Sequence, residues 1–302
     1  MTETAERDVL IIGGGPAGLS AALVLSRARR SVTVVDAGEP RNATAGHMHG
    51  FFTRDGMPPG DLLEIGRTEV RGYGGEIIDG RVEHAAEGFV VTLDDGTRLR
   101  GRQLLVTTGV TDVLPDVPGL RERWGREVQM CPYCHGWEVR DKRIVVLATS
   151  PQSVHQVTLL SQWSPDVTFL TPKAPEGEDA ARLDVRGIRV VEGEAQRVVV
   201  ENDRVTGIEL PDGSTLGCDA VFVAPTFVAK AGPLTDLGCE IGDDGFVKVD
   251  ATGRTSVPGV WAAGNVVNPM AQVIIAASAG SMAAAMINFD LIEEEIAQKL
   301  AA

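Results

Sequence analysis

Apolar residues in this chain fall mainly in short unbroken runs separated by glycine- and proline-bearing segments. Runs of about four to eight such residues suit strands buried on both faces of a parallel sheet. Residues 9–12, 103–110, 143–148, 167–170 and 220–223 are read this way. Residues 19–30 read as a helix whose arginines gather at its C-terminal end, where the helix dipole favours them. With residues 31–35 as the next strand, the amino-terminal part forms one βαβ unit. A helix over 153–163 between two buried runs makes a second unit. Residues 77–101 alternate like a hairpin around Asp95-Gly96, and strands over 188–195, 197–200 and 205–210 precede a turn at Asp212-Gly213. A short strand is expected at 246–249. Residues 172–180 read as a polar loop, and 40–75 carry no assignable element.

The stretches 113–119 and 225–232 read as linkers. The expected fold class is α/β, with two dinucleotide-binding (Rossmann-like) domains. The first domain, residues 1–115, is interrupted by an inserted domain, residues 116–232, and completed by residues 233–302. At 302 residues the chain is long enough for two cores.

Composition narrows the partners. The formal net charge of -14 repels phosphate backbones and argues against nucleic acid. The opening MTETAERD is polar and acidic, unlike a secretory leader. Residues 271–289 lack any charge and are long enough to cross a bilayer. Ala, Ser and Gly dominate them, however, and Gln272 and Asn288 sit near their ends, so a buried helix is expected and not a membrane span. The cysteines number four, two in a C-x-x-C and two alone. That pattern suits a cytoplasmic protein with one redox pair.

The candidate chemistry begins at Gly13-Gly14-Gly15-Pro16-Ala17-Gly18, between the first strand and its helix. Gly13 permits a tight turn, Gly15 lets backbone approach a pyrophosphate, and Gly18 lets helix and strand pack closely. The helix start, with Pro16 and Ala17, offers free N–H groups to the phosphates. Asp36, ending the second strand, is placed to accept a bond from a ribose hydroxyl. This motif does not by itself separate FAD from NAD.

CPYCHGWE supplies Cys131 and Cys134, spaced for reversible disulfide formation. A zinc site lacks a second ligand pair at suitable spacing, so no metal is expected; a purely structural disulfide is the remaining bland reading. Cys218 and Cys239 read as buried small residues. His135 directly follows the pair and is available for proton transfer near neutral pH, or for a structural hydrogen bond. His47-Met48-His49-Gly50 lies either beside the cofactor or substrate cleft or in a plain loop.

The whole chain resembles the low-molecular-weight thioredoxin reductases, in which an FAD domain is split by an inserted domain carrying the C-x-x-C. GVWAAGNV resembles their second FAD motif, with Asn265 where Asp is usual. The resemblance implies FAD held by Gly13, Gly15, Pro16, Ala17, Gly18, Asp36, Val82, Gly109, Gly264, Asn265, Gln272 and Val273. It also implies a homodimer, Cys134 facing the flavin and Cys131 exchanging with substrate. His135 stands where those reductases carry an acid–base Asp.

The departures are informative. The turn expected to bind NADPH reads Val146-Leu147-Ala148-Thr149-Ser150-Pro151-Gln152-Ser153, without glycine, and only Lys173 stands where a basic cluster would clamp a 2′-phosphate. These features argue against NADPH. They are similar to those of the dithiol oxidases that close disulfides in holomycin and gliotoxin. That resemblance implies a small-molecule dithiol as substrate and O2 as acceptor, giving hydrogen peroxide. A protein-disulfide reductase fed by NADPH or ferredoxin, and a non-enzymatic flavin redox sensor, are the alternative readings.

Overall fold

The computed structural model describes residues 6–302; the first residues of the polar amino-terminal stretch lie outside them. In chain order, β1 (Arg7–Ile12), α1 (Pro16–Arg27) and β2 (Val32–Asp36) form the first βαβ unit. Next come α2 (Pro59–Gly72), β3 (Glu76–Asp79), β4 (Val82–Ala86), β5 (Val90–Leu93) and β6 (Arg98–Val106). β7 (Val110–Val113), α3 (Leu120–Arg123), β8 (Val128–Gln129) and α4 (Pro132–His135) follow. The second α/β unit is β9 (Ile144–Leu147), α5 (Ser153–Leu160), β10 (Val167–Thr171), α6 (Gly177–Val185) and β11 (Arg189–Glu192). The chain continues through β12 (Arg197–Glu201), β13 (Arg204–Glu209), β14 (Thr215–Gly217), β15 (Ala220–Val223), β16 (Thr226–Ala229) and α7 (Gly232–Asp236), and finishes with β17 (Val260–Ala262) and α8 (Val273–Ala301).

The first sheet runs β3-β2-β1-β6-β5-β4, and β17 pairs in parallel with β6. Residues from both ends of the chain therefore complete one sheet. The second sheet, β11-β10-β9-β15-β8, is parallel throughout. Its three central strands are buried along their full length, which accounts for their continuous apolar sequence. Each sheet has apolar clusters on both faces: Leu25, Leu105 and Trp261 belong to one side of the first, and Leu10, Leu104 and Val260 to the other.

Several expectations are corrected. The stretch 225–232 read as a linker contains β16, while 113–119 holds no strand beyond Val113, the last residue of β7; β7 and β16 pair antiparallel from Thr226↔Val113 to Ala229↔Val110. Two chain crossings running side by side satisfy their backbone groups in each other. Residues 40–75 contain α2, which Pro59 starts at the first helical position, where its missing N–H costs nothing. Its glycines conceal the helical signal, yet Gly66 is where it closes on Leu19 of α1. The loop expected at 172–180 gives way to α6, whose Glu178 and Asp179 suit a helix start and whose Leu183 is buried. The strand expected at 246–249 is reduced to a single bridge, Ile241↔Val247. Phe246 and Val247 are buried by packing, without a ladder.

α8 is apolar and long enough to cross a membrane by composition. It is nevertheless a core helix: Ala283, Ala284, Ile287 and Leu291 are buried in the cluster that includes Leu25 and Trp261. Gly280 lies against Ala17 so closely that a Cβ there would overlap the Ala17 carbonyl. Gly280→Val is therefore expected to destabilise the fold by about 1–3 kcal/mol through overpacking. Thermal unfolding would show a lowered midpoint; an unchanged midpoint would contradict the close α1–α8 contact.

Candidate functional site

The carboxyl ends of β1, β2 and β6 open onto a cavity of about 580 Å³. Gly13 adopts φ +109, and a Cβ there would lie 2.5 Å from the Thr107 carbonyl oxygen, so only glycine fits. Thr107 Oγ1 donates to the Gly13 carbonyl at 2.8 Å and fixes the turn. A Cβ on Gly15 would meet nothing within 4 Å, because this residue faces the open cavity. The first intrahelical bond of α1 runs from Leu19 N–H to the Gly15 carbonyl at 2.9 Å. The amides ahead of Leu19 thus lack helical partners and carry the positive end of the dipole. Asp36 borders the same cavity, and its Oδ2 accepts from Arg67 of α2 at 2.7 Å.

Gly13, Gly15, Pro16, Ala17, Asp36, Val82, Gly109, Gly264, Asn265, Gln272 and Val273 all line this cavity. Gly18 does not. It packs behind the turn, where a Cβ would lie 2.7 Å from Thr107 Oγ1. Asn265 Nδ2 donates to the carbonyls of Asn268 and Ala271, at 2.9 and 3.0 Å. A carboxylate cannot make those bonds, so Asn here ties down the loop leading into α8.

The cysteines enter the cavity from the second α/β unit. They are joined as a disulfide at either end of the short turn α4, with Cα atoms 5.2 Å apart. Gly136 closes that turn; a Cβ on it would lie 2.6 Å from the Pro132 carbonyl and 2.8 Å from the Trp163 ring. Gln156 of α5 donates to the Met130 carbonyl at 2.6 Å, anchoring the residue before Cys131. Gln272, at the start of α8, donates to Cys134 Sγ at 3.5 Å. Cys134 is therefore the sulfur in contact with the α8 N-terminus. Tyr133 and Trp137 beside the pair are exposed, at 67% and 64%, and offer apolar surface next to the disulfide.

His135 also lines the cavity. Burial pushes its pKa below the ordinary 6.5, with Glu138 opposing and His49 reinforcing the shift. It is thus held as a neutral imidazole at neutral pH, able to accept a proton. Burial pushes the Cys218 thiol up to about 12, and Cys239 upward as well, so neither is a ready nucleophile. Among the described residues, no group of three His, Cys, Asp or Glu is placed to hold a metal.

The turn after β9 has a different character from the turn after β1. Backbone N–H groups of Thr149 and Ser150 both donate to Ser153 Oγ at 3.2 Å, and Ser153 is fully buried. Thr149 Oγ1 donates to the Ala224 carbonyl at 2.8 Å. The amides that a glycine-rich turn would leave for a pyrophosphate are satisfied within the protein. Lys173 is exposed and paired with Glu176 at 2.8 Å.

Sequence reasoning missed Arg41. Its guanidinium grips Asp112 of β7 bidentately, at 2.8 and 2.6 Å, and donates to the Pro269 carbonyl at 2.7 Å. It also reaches Met130 Sδ at 3.7 Å and lies over the Phe227 ring of β16. No local motif marks it, since its partners come from four distant segments. His47, Met48 and His49 of the stretch left open above line the cavity, and Gly50 does not.

The comparisons with known proteins agree with this geometry. The family model described as pyridine nucleotide-disulphide oxidoreductase matches residues 7–280. The chain is 32% identical over 319 residues to thioredoxin reductase sirT of Leptosphaeria maculans, covering 97% of this chain and 96% of that relative. It is 31% identical over 298 residues to a thioredoxin reductase of Streptomyces clavuligerus, covering 92% of each. The crystal structure of HlmI is 48% identical, covers 100% of this chain with 97% of its own, and superposes with a TM-score of 0.95. These matches bring with them a flavin cofactor. The chain belongs to the pyridine nucleotide-disulphide oxidoreductase family, as a thioredoxin-reductase-like, flavin-dependent disulfide oxidoreductase.

Proposed function

We propose that the protein is an FAD-dependent dithiol oxidase that closes a disulfide in a small-molecule substrate and uses O2 as its electron acceptor. The observation that carries this reading is the contrast between the two βα turns. One leaves its amides open to a cavity that also holds a disulfide; the other has its amides occupied by Ser153. This contrast supports an electron route from substrate over one from NADPH.

The cavity fits FAD because its cradle requires glycine at Gly13, opens at Gly15, and continues to Gln272 and Val273 at the α8 N-terminus. The α1 amides and Asp36 would hold the pyrophosphate and ribose, displacing Arg67 or sharing Asp36 with it. Val82, Gly109, Gly264 and Asn265 would line the rest. Bound flavin supplies a two-electron acceptor that O2 reoxidises, yielding hydrogen peroxide.

The residues of the chain do the sulfur chemistry. His135 takes a proton from a substrate thiol, and the resulting thiolate attacks Cys131. Cys134 leaves as thiolate beside Gln272. The second substrate thiol then attacks the mixed disulfide and releases Cys131. The product is an oxidised substrate and a reduced cysteine pair.

We assign the domain boundaries expected from the sequence, residues 1–115, 116–232 and 233–302, on the β7–β16 ribbon that joins the two sheets. The protein acts in the cytoplasm as a homodimer. The support for a second copy is the outer face of α8, where Ile275, Met282, Phe289 and Ile296 recur every seventh residue and all are exposed. A reductase fed by NADPH or ferredoxin is the second reading, favoured by relatives that bear the name thioredoxin reductase.

Anaerobic mixing separates the two. Excess dithiol is expected to bleach the flavin, NADPH is not, and Cys131→Ser should abolish bleaching and peroxide release. Rapid bleaching by NADPH would overturn the oxidase reading. Because His135 sits below its ordinary pKa, the dithiol reaction should keep its rate as pH falls through 6.5 and decline only below it. A stopped-flow pH profile with its acid limb above 6.5 would contradict His135 as the base. Phe289→Glu with Ile296→Glu is expected to sediment as a monomer where the unaltered chain sediments as a dimer.

A further inference from the structure

The dithiol reaction delivers two thiol protons to a site with one half-buried imidazole. If His135 keeps the first, it cannot take the second. A second, smaller cavity of about 190 Å³ borders the same ring. It is lined by His47, His49, Arg126, Gln129, His135 and Glu138, among others, and by neither cysteine. It is polar and has room for bridging water.

We propose that this cavity is the proton exit of the substrate half-reaction and that His49 relays the proton from His135 to the surface; the inference rests on the dithiol oxidase reading. The His49 and His135 rings lie nearly perpendicular with centroids 6.5 Å apart, a separation one water spans. His49 Nε2 lies 3.4 Å from Glu138 Oε1, and Nδ1 lies 3.4 Å from Asp55 Oδ2. Both carboxylates are solvent-accessible, so His49 lies between a half-buried base and exposed acceptors. Glu138 shares the small cavity with both rings and Asp55 does not, so His49 takes the proton at Nε2 from cavity water and gives one up at Nδ1 to Asp55.

The loop is built to hold that ring. Met48 N–H donates to the Met57 carbonyl and Gly56 N–H to the Met48 carbonyl, both at 2.9 Å, and Met48 is buried. Gly50 N–H donates to Asp55 Oδ1 at 2.9 Å. That amide, with His49, holds the Asp55 carboxyl below the usual range, so it stays ionised. The other charged and titratable groups on the cavity are Arg126, matched by Asp203 at 2.8 Å, His47, and Glu138, which favours a charged His135.

The step balances without a further reactant. A substrate thiol loses its proton to His135 as its sulfur bonds Cys131 and the Cys131–Cys134 bond breaks. The proton passes through water to His49 Nε2, and His49 releases one from Nδ1 past Asp55. His135, neutral again, takes the second thiol proton.

The test uses the FAD-loaded protein, dithiothreitol as the probe, and His49→Ala and Glu138→Gln. Anaerobic stopped-flow bleaching by His49→Ala should be about tenfold slower at pH 6.5 and recover when imidazole is added. Nitrogen-15 NMR of the oxidised protein should show the His135 titration moving down in Glu138→Gln and up in His49→Ala. Full bleaching rates in His49→Ala, or slow rates that imidazole does not restore, would overturn the relay. If dithiothreitol fails to bleach the unaltered protein, the oxidase reading fails by itself. The NMR titrations then decide the proton path: unshifted His135 in both variants refutes it, and shifts in the stated directions uphold it.

Discussion

The Arg41–Asp112 ion pair joins parts of the molecule that the chemistry needs at fixed separation. Asp112 sits on one of the two strands that connect the sheets, and the Arg41 side chain over it is four-fifths buried. The same guanidinium touches the Pro269 carbonyl before α8 and the Met130 sulfur before Cys131. Without it, the disulfide and the cavity belong to separate sheets linked by a two-stranded ribbon. A partly buried bidentate pair is costly to break from one side, because the remaining charge loses both partner and water. The ribbon is thereby held in one setting, with the sulfurs over the cavity.

The two βα turns show how one supersecondary unit yields opposite outcomes. Each follows a buried parallel strand and starts a helix. After β1, glycines remove the side chains that would fill the approach to the backbone, and the amides face open space. After β9, a serine hydroxyl sits where an anion's oxygen would, satisfying two amides at once. This turn differs from the first by more than missing glycine: two amides have gained an internal acceptor, which stabilises the closed form.

α8 serves both the core and the site. Its inner face is alanine- and glycine-rich because α1 lies within backbone contact of it at Gly280. That close approach aims its first turn at Cys134, through Gln272. The outer face has no such constraint and carries larger apolar residues. An apparently transmembrane composition thus arises from two separate demands on one helix.

The sequence alone determined the α/β class, the glycine turn with Asp36, and the redox pair, because each is written in local spacing: period, turn chemistry and C-x-x-C. The missing glycine after β9 was equally legible. Tertiary structure decided what local spacing cannot encode. α2 and α6 were hidden because glycine and charge dilute their periodicity, while burial of Leu63 and Leu183 reveals it. The pairing of β7 with β16 joins residues more than a hundred positions apart, and neither strand has a strong pattern of its own. Arg41, His49 and the hydroxyl of Ser153 acquire meaning only from partners that folding brings near. Their interactions are electrostatic and directional, and a side chain's neighbours in space, not in sequence, set their strength.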